Sequence, residues 1–304
     1  MKSIILQIMY ILTGLVAIAA GIYAITDKEH KTKFSTGAFW IIFGLIFILG
    51  KSIPPHIVGG AIIFMGFLTA LKRVGTGSQT NSSEEYRIKK SEIIGNKIFI
   101  PALSIGFIAF AVAQFTKLGG LVGLGIGSVI ALILAFVITK EKPKYLGYES
   151  SRILQQIGST TILPQLLAAL GAIFAMAGVG NVIADLMGSI VPEGNILAGV
   201  VMYCLGMAIF TMIMGNAFAA FAVITAGIGI PFVFALGADP AIAGSLALTA
   251  GYCGTLMTPM GANFNIVPAS IMDMKNKNGV ILSQIPVALS LLVVHILLMY
   301  FWAF

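Results

Sequence analysis

Charge is what this sequence lacks. Only 10% of its 304 residues are Asp, Glu, Lys or Arg, whereas a water-soluble domain carries about 25%. So few charges cannot cover a folded domain of this length in water, which excludes an ordinary soluble protein. Cysteine is nearly absent as well. Cys204 and Cys253 both lie inside apolar runs, so no disulfide framework is expected and both read as packing residues. The three histidines, His30, His56 and His295, contain no His-x-x-x-His pair, so no metal site is expected. No Lys or Arg occurs between Arg152 and Lys275. Within that stretch Asp185, Glu193 and Asp239 fall at expected outer-surface positions.

What fills the sequence instead is apolar: 58% of residues belong to the AVILMFWYC set and the mean hydropathy is +1.01. The net charge of +7, from 18 Lys and Arg against 11 Asp and Glu, does not describe a nucleic-acid surface. Such a surface clusters basic residues on a wettable face with aromatics between them. Here they sit in short gaps between apolar runs, the pattern of loops on the cytoplasmic side of a membrane.

A spanning helix needs about 20 apolar residues. The runs that qualify are 4–26, 34–50, 56–71, 98–115, 118–139, 160–178, an interrupted 239–272, and 279–303. The first is expected to be retained as a helix rather than cleaved as a signal, because it is long enough to span and lacks a small-residue cleavage site. Residues 72–97 and 140–152 are polar enough to read as solvated connectors. The stretch 195–236 is too long for one crossing and turns at Gly215-Asn216-Ala217, between Met212-Ile213-Met214 and Phe218-Ala219-Ala220. A turn with apolar flanks is tolerated at membrane depth where it is buried or lines a cavity. This predicts a re-entrant hairpin with Asn216 near the midplane.

The prediction is therefore an all-α polytopic membrane protein with about eight transmembrane helices, one re-entrant helical hairpin (195–236) and one broken helix (239–272). If the hairpin enters and leaves on one side, Lys28, Lys31, Lys33, the six basic residues of 72–97, Lys140, Lys142, Lys144, Arg152, Lys275 and Lys277 share a face, against Lys2, Lys51 and Lys117 on the other. The positive-inside rule then places both termini outside the cytoplasm, in the cell membrane.

Two patterns are decoys. Gly50-Lys51-Ser52 would end a phosphate-binding loop only with glycine at 45, where Leu45 stands. The cluster Gly119, Gly120, Gly123, Gly125 and Gly127 has small-xxx-small spacing, which lets helices approach closely in lipid. His295 lies inside the last span. Such a group is a candidate proton relay, set against a neutral imidazole bonded to a neighbouring helix.

The chemistry concentrates in two polar interruptions. The first runs Thr211-Met212-Ile213-Met214-Gly215-Asn216-Ala217, with Thr225 following. The second runs Thr258-Pro259-Met260-Gly261-Ala262-Asn263-Phe264-Asn265. Proline removes a backbone donor and glycine relaxes the helix, so the second segment should unwind. Broken helices offer N-terminal ends to anions and unwound carbonyls to cations, as in many secondary transporters. Thr211, Gly215, Asn216, Ala217, Thr225, Thr258, Pro259, Gly261, Asn263 and Asn265 are the candidate binding residues. No nucleophile–base pair is evident at membrane depth, so an enzyme is not expected.

The order of span, Asn-tipped hairpin, broken helix and final span resembles one repeat of the ion transporter superfamily, which includes divalent-anion/sodium symporters. Asn216 and Asn263 match that pattern. Gly215 and Ala217 replace the hydroxyls usual at its hairpin tip, and Thr211 or Thr225 would have to supply them. The whole chain resembles an uncharacterised membrane family, domain-of-unknown-function 979, through GNAFAAFAVITAGIGIPF (215–232) and GTLMTPMGANFNIVPA (254–269). The resemblance implies a second small membrane protein as partner and a nearby pyroglutamyl peptidase gene, hence 5-oxoproline or a related small carboxylate as cargo. It further implies half of an inverted-repeat transporter, with residues 1–97 as scaffold and 98–304 as the transport repeat. The partner would supply the opposite repeat, and Na+ or H+ would be the coupling ion with no other cofactor. The competing expectation is a structural or anchoring membrane subunit.

Overall fold

The computed structural model describes every residue except Met1, Ile190, Val191, Glu193 and Asp273, and the side chains of all the rest but Ser159 and Met187. Glu193, expected at the outer surface, lies outside the described residues. All regular elements among the described residues are helical. The chain divides into two compact units, Met1–Gly158 and Ser159–Phe304.

The first unit contains α1 (Lys2–Thr26), α2 (Lys33–Leu49), α3 (Pro55–Ala70), α4 (Glu84–Ile94), α5 (Phe99–Phe115), α6 (Gly120–Thr139) and α7 (Leu146–Ile157). Helices α1 and α2 meet along a glycine seam. A Cβ on Gly14 would stand 2.6 Å from the Gly44 carbonyl oxygen, and one on Gly21 2.9 Å from that of Gly37. Small residues seven apart on each helix bring two backbones close enough for dispersion to hold them in lipid. The glycines of α6 act the same way. A Cβ on Gly123 would lie 2.8 Å from Ala109 Cα, on Gly127 3.0 Å from the Ile105 carbonyl, and on Gly125 2.5 Å from Met9.

The two polar connectors are more structured than solvated loops. Residues 72–97 contain α4, and 140–152 lead into α7, whose Ser151 and Gln155 are buried. Residues 73–80 form a strap stapled by side chains from the ends of α1, α2 and α7. Ser35 donates to the Arg73 carbonyl at 2.7 Å, Gly75 N–H to Thr36 Oγ1 at 3.1 Å, and Gly77 N–H to Gln155 Oε1 at 3.0 Å. Ser78 N–H donates to Asp27 Oδ2 at 2.6 Å. That bond, more than any other influence, holds the Asp27 carboxyl below its ordinary range. His30 is buried, accepting at Nδ1 from Thr32 N–H and facing the Gly75 carbonyl through Nε2 at 3.2 Å. The partly buried N–H groups of the strap find acceptors on α2 and α7 and just past the end of α1, all distant in sequence.

The second unit contains α8 (Leu163–Met176), α9 (Val179–Gly188), α10 (Ile196–Met214), α11 (Ala217–Ile224), α12 (Ile230–Phe232), α13 (Pro240–Leu256), α14 (Ala262–Ile271) and α15 (Gly279–Trp302). Its core is α10, α13 and α15. Ala243, Ala247 and Ala250 are buried on α13, and a Cβ on Gly254 would sit 2.0 Å from the Ala208 carbonyl. Asp239 caps α13 by accepting from Ala241 and Ile242 N–H, while its own N–H donates to the Ala303 carbonyl at 2.8 Å. The start of α13 and the end of α15 therefore lie at one level.

Among the described residues, six helical runs are long and apolar enough to cross a membrane: Lys2–Thr26, Glu84–Phe115, Gly120–Thr139, Ile196–Met214, Ala217–Leu236 and Gly279–Trp302. This is a membrane protein. The expected runs 34–50 and 56–71 form shorter apolar helices of 17 and 16 residues. Run 160–178 becomes the 14-residue α8 followed by a turn, and 239–272 becomes α13 and α14 about a break. Each limb of the hairpin is itself long enough to cross. Compactness divides the chain elsewhere than at the expected 97/98 boundary, because α5 and α6, assigned by sequence to the downstream repeat, pack within the first unit.

Candidate functional site

The two interruptions predicted from sequence meet. Gly215 ends α10 at φ +66°, in the left-handed region, and a Cβ there would stand 2.4 Å from the Met260 carbonyl oxygen. Only glycine fits both the dihedral and the space. Asn216 then caps α11, its side chain accepting from Phe218 N–H at 2.9 Å. On the facing segment, Thr258 donates to the Met212 carbonyl at 2.9 Å and accepts from Met260 N–H at 3.2 Å. Thr258 thus ties the break to the end of α10.

Proline 259 stands exposed at the break, and helix α14 starts again beyond Gly261. A Cβ on Gly261 would lie 2.5 Å from the Thr255 carbonyl. Asn265 staples the unwound turn, with Nδ2 donating to the carbonyls of Thr255 at 2.9 Å and Thr258 at 2.6 Å. These bonds satisfy carbonyls that the broken helix leaves without N–H partners. Asn265 is fully buried and its Oδ1 has no hydrogen-bond partner.

A cavity of about 200 Å³ opens where the tip and the break meet. Gly215, Asn216, Ala217, Gly261 and Asn263 line it, as do Thr255, Tyr252 and Met260. Phe218 and Phe264 flank Tyr252 edge to face, at ring-centroid distances of 6.1 and 6.4 Å, and make an aromatic wall. Pro164 and Leu167, from the first turns of α8, complete the lining. Three helices of at least eight residues thus begin at this cavity: α8, α11 and α14. Helices α11 and α14 present first-turn N–H groups and the positive ends of their dipoles; α8, which continues from a 3-10 turn at 158–162, brings Pro164, which has no N–H. Such an arrangement favours an anion, in a stretch of sequence with no Lys or Arg.

The remaining candidates lie apart from the lining. Thr211 is buried against Gly251 and its hydroxyl has no partner. Thr225 opens a π-turn and pairs with the Tyr203 hydroxyl at 2.7 Å. His295 Nδ1 lies 2.7 Å from the Leu291 carbonyl one turn earlier. Its bond is thus to its own helix, neither to a neighbouring helix nor to the cavity. Sequence reasoning missed Tyr252 and Thr255, whose hydroxyls lie one turn apart at the end of α13 and point to one face. It also missed Pro164, which marks a helix start at the second residue of α8. Among the described residues no group of three or more His, Cys, Asp or Glu could hold a metal ion, and Cys204 and Cys253 are buried and free.

No curated protein and no solved structure matches the chain. One family model does, over residues 7–304, and its description is "protein of unknown function (DUF979)". A match across nearly the whole chain settles membership: this protein belongs to the DUF979 family.

Proposed function

We propose that the protein is a subunit of a secondary active transporter for a small organic anion, with 5-oxoproline or a related carboxylate as the leading cargo. The observation that carries this reading is the convergence of three helix N-termini on one small cavity, in a region without basic side chains. The helix dipole ends, with the first-turn N–H groups of α11 and α14, meet a carboxylate without a buried lysine or arginine. The aromatic wall of Phe218, Tyr252 and Phe264 suits a compact, partly apolar molecule. Asn263, exposed on the first turn of α14, is the side chain best placed to hydrogen-bond cargo.

The chain contains one Asn-tipped hairpin and one broken helix, which is half of what an inverted-repeat carrier uses. A second membrane protein of opposite topology supplies the other half, with Na+ or H+ as coupling ion and both termini of this chain outside the cytoplasm. On this reading 195–236 is a deep re-entrant hairpin within the ion transporter superfamily pattern, and residues 98–304 act as the transport repeat against a scaffold of 1–97.

One observation favours the competing role of a structural subunit. Asn216 and Asn265 spend their side chains on a cap and a staple, as they would if the break served folding alone. Uptake of labelled 5-oxoproline, with small carboxylates as competitors, separates the two readings. It is measured in cells expressing the chain alone, with its partner, and with Asn216→Ala in the pair, each with and without sodium. Transport predicts uptake that needs both chains and falls at least tenfold in well-expressed Asn216→Ala. A pair that takes up no member of the panel supports the structural role.

A further inference from the structure

A larger cavity of about 840 Å³ lies in the first unit, where α6 ends. Its floor is Leu132, Ala135 and Phe136, in the last two turns of a helix apolar enough to span a membrane. Its rim is Ser82, Lys142 and Tyr148, from the polar connectors. Lys140 turns the chain sharply at φ +57°, so residues 141–149 return beside the helix end. Lys90 fastens α4 across the same end, donating to the Thr139 carbonyl at 3.0 Å and pairing with Glu141 at 2.5 Å. The walls are thus built by specific bonds.

The charge of this groove is decided by who is paired. Glu141 is neutralised by Lys90 and bonded by the Tyr86 hydroxyl. Glu149 is held by Arg152 through two nitrogens at 2.9 and 2.8 Å. Among the described residues Lys142 has no ion pair and stands exposed on the rim. A groove with an apolar floor inside a span, hydroxyls at its mouth and one uncommitted cation matches the junction between acyl chain and headgroup. Its volume falls within the range of small-molecule sites.

We propose that this groove binds an anionic glycerophospholipid. Its phosphate meets Lys142 and the rim hydroxyls, and its acyl chain lies along Leu132 and Phe136. The proposal is independent of the transport reading. It rests on a basic residue placed at the end of a span, where each lysine adds attraction for an anionic headgroup, and on a floor, exposed at Leu132 and half-buried at Ala135 and Phe136, that offers only apolar contact.

The test is lipid retention by the purified full chain in detergent, read by native mass spectrometry and thermal melting. Phosphatidylglycerol, phosphatidylcholine and water-soluble glycerol 3-phosphate are added separately. Phosphatidylglycerol should bind and raise the melting temperature. Lys142→Glu, and the milder Lys142→Gln, should weaken its retention about fivefold, the effect of one interfacial lysine. Lys275→Glu, a cation of the second unit, should change it little. Phe136→Ala should weaken the long-chain lipid without creating a preference for glycerol 3-phosphate. Equal retention by Lys142→Gln and the unaltered chain would overturn the proposal. So would equal loss in Lys275→Glu, equal binding of phosphatidylcholine, or equal stabilisation by glycerol 3-phosphate.

Discussion

The strap at 73–80 and the break at 257–261 pose the same problem and solve it differently. Both are irregular backbone pressed against helices, and both must satisfy backbone polar groups that no regular ladder pairs, partly buried in the strap and buried in the break. In the strap, Gly75, Gly77 and Ser78 N–H each find a side-chain acceptor. In the break, Thr258 and Asn265 satisfy part of the backbone, but Asn265 Oδ1 is buried without a partner. Nearby, first-turn N–H groups of α11 and α14 face an open cavity. Buried polar groups are normally paired, so the incompletely paired region is where a ligand has something to contribute. The strap is a joint, and the break is a candidate site.

Substitutions can break or sharpen this contrast. The largest effect is expected at Gly215→Val, which combines a left-handed dihedral with a 2.4 Å clash against Met260 and should cost about 3 kcal/mol. Gly237→Val is the control, with φ +105° but open space. It carries backbone strain alone, so its melting temperature should fall distinctly less. Equal losses at the two sites would show that the tip and the break do not meet. Asn265→Ala removes both staple bonds and should cost about 2 kcal/mol. The conservative Asn265→Asp cannot donate those bonds and should not rescue stability, as checked by thermal melting.

Gly77→Ala places a Cβ 2.3 Å from Asp27 Oδ2. It should expose residues 72–83 to limited proteolysis while leaving cargo uptake unchanged, because the strap is outside the proposed site. The smallest effect is that of acid. The folded Asp27 carboxyl titrates below its ordinary 3.8, so the Ser78 tie contributes fully above that pH. Its contribution fades as pH falls through the depressed folded value. Pepsin cleavage within 72–83 should therefore rise as pH drops below 3.8. Asp27→Asn should flatten that dependence.

Much of the second unit was legible because its signals are local. Gly215, Asn216, Pro259 and Gly261 announce breaks through their own conformational preferences, and the glycines of α6 announce close packing through their spacing. The strap was not legible. Its acceptors, Thr36, Asp27 and Gln155, lie 39, 51 and 78 residues away from the groups they bind, and no local pattern encodes such pairings. Nor was the share of α8 in the cavity. Its start falls inside an apolar run that reads as one uninterrupted span, and only Pro164 marked the helix end. The polar connector at 140–152 concealed α7, whose buried Ser151 and Gln155 look solvated in sequence.

The central claim is that the cavity at the hairpin tip holds an anion through helix N-termini. Asn263→Asp tests it most directly, because it places a carboxylate on the first turn of α14, where a helix tolerates an acid well, beside the proposed cargo. Uptake of labelled 5-oxoproline is compared in cells carrying the unaltered pair and the Asn263→Asp pair, alongside the melting temperature of each purified chain. The account expects uptake to fall more than tenfold while the melting temperature holds or rises. Undiminished uptake by Asn263→Asp would contradict it.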